Sequence, residues 1–111
     1  MQRREHARYR LWFPVQVEAG GEIKLAMNQN IGVGGMLVAL AADLKVDDVV
    51  ALTFRLPNGE SDRSVSGRVV RIEPNTEDPE GAWPFKVGIA FDEVAPDLIP
   101  FLEDAMARFG A

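Results

Sequence analysis

A chain of 111 residues with a hydrophobic fraction of 47% and a charged fraction of 26% fits one globular domain with a substantial core. The net charge of −5 is unevenly distributed, because residues 1–10 carry four arginines and one glutamate. Residues 11–111 carry eight basic and sixteen acidic residues, a net charge of −8, and this acidic balance excludes a broad nucleic-acid-binding face. One histidine and no cysteine exclude disulfides, thiolate metal sites and histidine metal clusters, and no apolar run approaches the roughly 20 residues that span a bilayer.

The first half of the chain predicts three short strands. Residues 11–19 alternate apolar and polar side chains, the sequence AGGE turns the chain, and residues 22–27 alternate again. The glycine run at 30–35, with the sequence NIGVGG, predicts a tight corner. Residues 35–40 follow it as a compact apolar strand.

Three further strands are predicted in the second half, at residues 49–57, 63–73 and 85–94. Asn58-Gly59, between the first two of them, is the favoured pair for a tight hairpin because both residues tolerate a positive φ. The phase of 63–73 is ambiguous, since its valines and isoleucine fall on both faces. A loop rich in turn formers occupies 74–84. Six strands joined by short turns predict an antiparallel β-barrel.

The last segment changes to a helical period. Asp97 is expected to cap the helix, Pro100 is tolerable in its first turn, and Gly110 ends it. The apolar stripe consists of Leu98, Phe101, Leu102, Ala105, Met106 and Phe109. We expect this stripe to pack on an opening or outer face of the barrel; a partner-binding helix is the alternative. The predicted fold class is therefore mainly β, a six-stranded antiparallel barrel with a C-terminal α-helix.

Catalysis is not indicated, so an enzyme is not expected. His6 has no nearby serine or cysteine that the sequence could nominate as a nucleophile, and the carboxylates cluster in turns. The glycine run begins as G-x-G, but Leu37 takes the place of the third glycine of a dinucleotide fingerprint. A strand also follows it where a helix would be needed to hold a pyrophosphate.

The first ten residues form an arginine-rich arm ahead of a single domain at 11–111. Arg4 and Arg8 make an R-x-x-x-R segment, and Arg3 directly precedes it. Guanidinium groups are planar, stack on bases, and match the O6/N7 edge of guanine with two parallel hydrogen bonds, which lysine cannot do. The arm therefore suits one compact anion; a solvated chain terminus is the alternative.

The arm and the glycine run together resemble the PilZ domain family. That family is known by R-x-x-x-R leading into a strand and by [D/N]-x-S-x-x-G at the end of the next strand. Arg4 and Arg8 supply the first motif here, and residues 30–35 supply the second. The sequences SGRVVRIEP and KVGIAFDEV and the closing helix are also similar to the family, so the resemblance covers nearly the whole chain. It implies a PilZ-like split barrel.

PilZ domains are typically receptors for the bacterial second messenger cyclic di-GMP. The resemblance implies that Arg4 and Arg8 engage guanine edges and phosphates, with Arg3 assisting by stacking or phosphate contact. Asn30 corresponds to the residue that reads a guanine, and Gly35 to the glycine that permits close approach. The arm is expected to wrap the ligand on binding, at an ordering cost.

Two further residues belong to the implied site. Gly32 stands where the motif has serine, and the lost hydrogen bond costs about 0.5–1.5 kcal/mol, roughly two- to tenfold in affinity. Restoring serine is therefore expected to tighten an existing site modestly. Arg71, on the fifth strand, has a side chain long enough to reach the same end of the barrel; an ordinary exposed arginine is the alternative.

The function implied is a cyclic di-GMP receptor and adaptor, without cofactor or metal, that signals to a protein partner in trans as its arm folds over the ligand. No signal-peptide stretch is present, so a bacterial cytoplasmic protein is expected, with no DNA, RNA or membrane insertion. The alternative is a PilZ-type interaction module that has lost nucleotide binding. It would dock a motility or secretion partner through the helix stripe or Trp83.

Overall fold

The computed structural model describes residues 7–41, 43–77 and 81–110, so Arg3, Arg4 and His6 lie outside the described residues. Within those ranges the elements are β1 (Phe13–Ala19), β2 (Glu22–Ile31), β3 (Gly35–Leu40), β4 (Val49–Phe54), β5 (Arg63–Pro74), β6 (Phe85–Phe91), a 3₁₀ turn (Pro96–Leu98) and α1 (Ile99–Phe109).

The six strands close into an antiparallel barrel in the order β1-β2-β3-β6-β5-β4, with β4 returning to pair with β1. Gly20 and Gly21, both with positive φ, form the tight turn between β1 and β2. A mainly β barrel followed by one helix confirms the fold class that the alternating patterns predicted.

The core fills the inside of the barrel and extends to the helix. Inward side chains of every strand join one buried cluster, and the C-terminal segment adds Leu98, Leu102 and Ala105 to it. Phe101 and Phe109, expected in the same stripe, are instead exposed. The helix therefore packs on the barrel as predicted, but through a narrower stripe than the sequence suggested.

The connection between β4 and β5 differs from the predicted two-residue hairpin. Neither Asn58 nor Gly59 has a positive φ; the loop spans 55–62, and the Gly59 N–H donates to the carbonyl of Leu56 at 2.8 Å. The Asn58 side-chain amide donates to the carbonyl of Phe101 at 3.1 Å and to the Asp104 carboxylate at 2.7 Å. Asn58 is thus held by the helix, and this long-range contact overrides its local preference for a hairpin.

The predicted helix cap is also wrong. Asp97 lies in the 3₁₀ turn, and α1 begins after Leu98 with no side-chain cap. The Asp97 carboxylate accepts from the guanidinium of Arg63 on β5, at 3.0 Å and 2.7 Å, and this pairing lowers the pKa of Asp97. The bidentate pairing with an arginine of a neighbouring strand is therefore formed in preference to hydrogen bonds with the local backbone N–H groups.

A β-bulge resolves the ambiguous phase of β5. The pairing with β6 shifts between Val69 and Arg71, so Val69 and Ile72, three residues apart, both face the core while Val70 points outward. A second shift, between Asn28 and Asn30 of β2, has the same effect. Asn28 faces the core and Asn30 lies on the outer side, which positions the candidate site.

Candidate functional site

One outward-facing row of residues crosses four strands. Reading from β2 through β3 and β6 to β5, the paired residues are Asn30, Leu37, Gly88 and Arg71. The adjacent row is fully buried and consists of Ile31, Met36, Ile89 and Val69. Because successive side chains of a strand alternate between faces, the first row lies outside the barrel, and about 14 Å separates its two ends.

The base of the arm is fixed to the end of β2. Tyr9 and Ile31 exchange two backbone hydrogen bonds, of 2.8 and 3.0 Å, as an isolated antiparallel bridge. This brings Arg8 over the glycine corner, where its Nη1 donates to the carbonyl of Gly35 at 3.1 Å. The same carbonyl accepts the Gly32 N–H at 2.9 Å. The structure thus gathers Arg8, the corner and Asn30 at one end of the barrel.

Two of the three corner glycines, Gly32 and Gly35, allow the close approach of different neighbours, and neither has a positive φ. A Cβ on Gly35 would lie 2.4 Å from the carbonyl oxygen of Ile89, so its close approach is to β6. A Cβ on Gly32 would lie 2.6 Å from the carbonyl oxygen of Ala7 and 3.2 Å from Cδ of Arg8. The arm therefore fills the space that a serine side chain at 32 would need.

Asn30 presents an acceptor with no hydrogen-bond partner in the described part of the chain. Its Oδ1 is shielded from solvent although the residue is only half-buried. A shielded acceptor left unpaired costs about 1–3 kcal/mol, so a donor arriving there is favoured. The N–H groups on the edge of a guanine base supply such donors.

A groove of about 360 Å³ runs beside these residues. It is lined by Arg8, Arg10, Trp12, Gln29, Asn30, Leu37, Glu77 and Lys86. Three of these side chains are basic and one is acidic. Trp12 is 56% exposed, which leaves much of its indole free for stacking.

Two larger grooves, of about 470 and 460 Å³, have the opposite charge balance. One has the carboxylates of Glu22, Asp43 and Asp48 with one lysine; the other has those of Asp92, Glu93 and Asp97 with one arginine. A phosphate-bearing ligand would be repelled by both. Of these three grooves, the one beside Asn30 therefore suits an anion best.

The sequence did not single out Arg10, Trp12 or Lys86 for this groove. Arg10 and Trp12 reach it because Leu11, between them, is buried and its carbonyl accepts a 2.7 Å hydrogen bond from the side chain of the buried Asn28. Lys86 reaches it from β6, two residues before Gly88. Strand alternation predicts which side Lys86 faces, but only the barrel register shows which neighbours it has.

Arg71 does not line the groove. It lies on the same outer face at the far end of the row, exposed, with its Nε 3.5 Å from the Glu73 carboxylate. Gly88, with no side chain, separates it from Leu37. The candidate site therefore unites Arg8, Asn30 and Gly32, while Arg71 stands apart from them.

The loop after β5 adds an acidic residue to the groove. Asn75 is buried and anchors this loop: its N–H donates to Pro84, its side-chain amide to Trp83, and its Oδ1 accepts from the N–H of Glu77. Glu77 in turn accepts a hydrogen bond from Lys86 Nζ. Lys86, with a smaller contribution from Arg10, lowers the pKa of Glu77.

Among the described residues no group of three or more histidine, cysteine, aspartate or glutamate side chains is placed to hold a metal ion. In that same part of the chain, no helix combines the length and the apolar character needed to cross a membrane.

A family model described as PilZ domain matches residues 2–107. Three similar solved structures are the motility inhibitor MotI/DgrA of Bacillus subtilis, the PilZ domain of YcgR from Escherichia coli with c-di-GMP, and the MrkH–c-di-GMP complex of K. pneumonia. No curated protein matches the chain at a significant level.

The three structures share the fold over almost all of this chain. MotI/DgrA is 26% identical, with a TM-score of 0.75 over 97% of this chain and 52% of its own. YcgR is 15% identical, with a TM-score of 0.74 over 97% and 92%. MrkH is 21% identical, with a TM-score of 0.69 over 96% and 52%. The chain thus spans about half the length of MotI/DgrA and MrkH.

Proposed function

The chain belongs to the PilZ domain family, and we propose that it is a receptor and adaptor for cyclic di-GMP, bound in the groove beside Arg8 and Asn30. The observation that carries the proposal is the meeting of these two residues with further basic side chains and an exposed indole in one groove. The groove concentrates positive charge on a chain whose residues 11–111 are otherwise acidic.

The chemistry of the ligand matches the groove group by group. Cyclic di-GMP carries two phosphate charges and two guanines. The guanidinium groups of Arg8 and Arg10 suit phosphate oxygens and the O6/N7 edge of guanine, and the indole of Trp12 offers a stacking surface. Asn30 Oδ1, which has no partner in the described residues, would accept from the N–H groups of a guanine. Two of the structural relatives contain this ligand, which supports testing it first.

Signalling is proposed to run through the arm. Arg3 and Arg4 would fold over the bound ligand, completing the R-x-x-x-R contact that Arg8 begins. The folded arm would present a new surface to a partner protein in trans in the bacterial cytoplasm. Motility is the output to test first, because MotI/DgrA is a motility inhibitor. The proposed activity is ligand binding and signalling as an adaptor, without an enzymatic step.

Calorimetric titration of the purified protein with cyclic di-GMP, with GTP and GMP as controls, tests the proposal. Arg8→Ala and Arg4→Ala should each remove most of the binding. Arg55→Ala is the matched control, because Arg55 is an exposed arginine paired with Asp62 away from the groove. The absence of both heat and any chemical-shift change at about millimolar ligand would limit the binding free energy to roughly 4 kcal/mol and reject the receptor role.

One observation favours the alternative of an interaction module without nucleotide binding. Position 32 lacks the motif hydroxyl, and the Ala7 carbonyl fills the place of the side chain. In that case the groove would be a remnant, and partner docking would be independent of cyclic di-GMP. The same titration separates the two functions, since only the receptor responds to Arg8→Ala.

A further inference from the structure

Resting on the proposed function, we propose that Lys86 is a phosphate-binding residue of the groove and that Glu77 acts as an internal anion that occupies it until cyclic di-GMP arrives. The Glu77–Lys86 contact would then set the affinity of the receptor, because the ligand has to displace a carboxylate before it reaches the ammonium. The proposal adds a binding residue and an autoinhibitory contact to the site.

Lys86 is held in place while its partner is free to leave. The Lys86 side chain is only 16% exposed, whereas that of Glu77 is 69% exposed. The covered stem of the lysine keeps the ammonium beside the groove, and moving an exposed carboxylate into water costs little. An incoming phosphate can therefore exchange with Glu77 without rearranging β6.

Glu77 owes its position to the fold. The buried Asn75 receives the Glu77 N–H on its Oδ1 at 3.3 Å and donates to the carbonyl of Trp83 at 2.7 Å. These bonds fix the start of the loop and direct Glu77 toward Lys86. The contact is therefore built by a buried anchor, unlike a pairing of two mobile surface chains.

The Glu77–Lys86 contact affects ligand binding because Glu77 changes the net charge of the groove. Arg8, Arg10 and Lys86 face a single carboxylate among the lining residues. With Glu77 in place the net charge is +2, and it becomes +3 once Glu77 withdraws. A carboxylate and a phosphate are both oxygen acceptors for N–H donors, so they compete for the same ammonium hydrogens.

The test compares cyclic di-GMP affinities of the wild type, Glu77→Gln, Lys86→Gln and the double variant by calorimetry at fixed salt. Glu77→Gln should bind about two- to fivefold more tightly, and Lys86→Gln about tenfold more weakly. In the Lys86→Gln background, Glu77→Gln should bring a clearly smaller gain, because only its longer-range effect on the charge of the groove remains once the contact is lost. Glu18→Gln, at an exposed position of β1 and roughly 20 Å along the chain from Trp12, controls for simple loss of one negative charge.

The outcomes separate this inference from the proposed function. If the wild type binds and Arg8→Ala abolishes binding, but Glu77→Gln matches Glu18→Gln, the inference alone is overturned. An equal gain from Glu77→Gln with and without Lys86 also overturns it. If the wild type does not bind at all, both fail together. Circular dichroism melts confirm that each variant is folded, and Glu77→Gln, at an exposed position, is expected to fold normally.

Discussion

Replacing Gly32 by serine restores the family motif, yet the structure predicts weaker binding. A Cβ at this position would lie 2.6 Å from the carbonyl oxygen of Ala7, a backbone atom that cannot rotate away. Reaching ordinary contact near 3.4 Å requires the arm base to move by about 0.8 Å. The nearest restraint on that movement is the pair of hydrogen bonds between Tyr9 and Ile31.

The magnitude follows from what the movement strains. Two backbone hydrogen bonds contribute about 0.5–1.5 kcal/mol each, so their loss would cost about 1–3 kcal/mol, whereas the new hydroxyl returns at most one bond of about 0.5–1.5 kcal/mol. Gly32→Ala brings the same Cβ without the hydroxyl. We therefore expect Gly32→Ala to weaken binding by about five- to a hundredfold and Gly32→Ser to weaken it less.

Calorimetry with cyclic di-GMP on the wild type and both variants measures this order directly. Melting curves of the same proteins follow the strain in the absence of ligand, where both variants should melt below the wild type. Tighter binding by Gly32→Ser than by the wild type would refute the reasoning. It would mean that the arm yields at no cost and that the missing hydroxyl alone limits affinity.

Three further predictions concern the site and the fold. Asn30→Ala should weaken cyclic di-GMP binding about two- to tenfold while leaving the melting temperature unchanged or raised, because it removes an unpaired acceptor; a lowered melting temperature with unchanged affinity would contradict this. Leu102→Ala, at a fully buried helix position, should cost about 2–5 kcal/mol in denaturant unfolding, whereas the exposed Phe101→Ala should cost far less; equal losses would show that the helix packs differently. Asp97→Asn should lower the free energy of unfolding above pH 3.8, because pairing with Arg63 lowers the folded-state pKa of Asp97. The difference from the wild type should vanish as the pH falls through that lowered pKa. A difference that does not depend on pH would contradict the pairing.

Strand alternation and helical period were sufficient to predict the barrel. β1, β4 and β6 each keep one apolar face, so their predicted inward residues are buried, apart from Ala19 and the exposed Phe85 at the strand ends. The bulges in β2 and β5 were not predictable, because each inserts a residue that local periodicity cannot distinguish from a phase error. That is why the sequence could not place Val69 and Ile72 on the same side, or show that Asn28 is inside and Asn30 outside.

The sequence predicted only part of the candidate site, because the rest depends on strand register and long-range contacts. R-x-x-x-R and the glycine corner are local patterns, and they directed attention to Arg8 and Asn30, which the structure brings to one groove. Lys86 and Glu77 come together through strand register and through the anchoring of a loop by Asn75, which no local pattern reveals. The sequence showed the hydroxyl missing at Gly32, but the Ala7 carbonyl that fills its place is visible only in three dimensions.

The hydrogen bond from the buried Asn28 to Leu11 couples ligand binding to the stability of the whole fold. Leu11 belongs to the core, and its neighbours Arg10 and Trp12 form a wall of the groove. The wall of the groove is therefore part of a segment that unfolds together with the core. A ligand held by that wall binds the folded state alone. At one hundred times its Kd such a ligand adds about 2.7 kcal/mol to the free energy of unfolding, a rise in Tm on the order of 10 °C for a domain of this size. Differential scanning calorimetry can thus measure the occupancy of the groove through the melting temperature of the barrel.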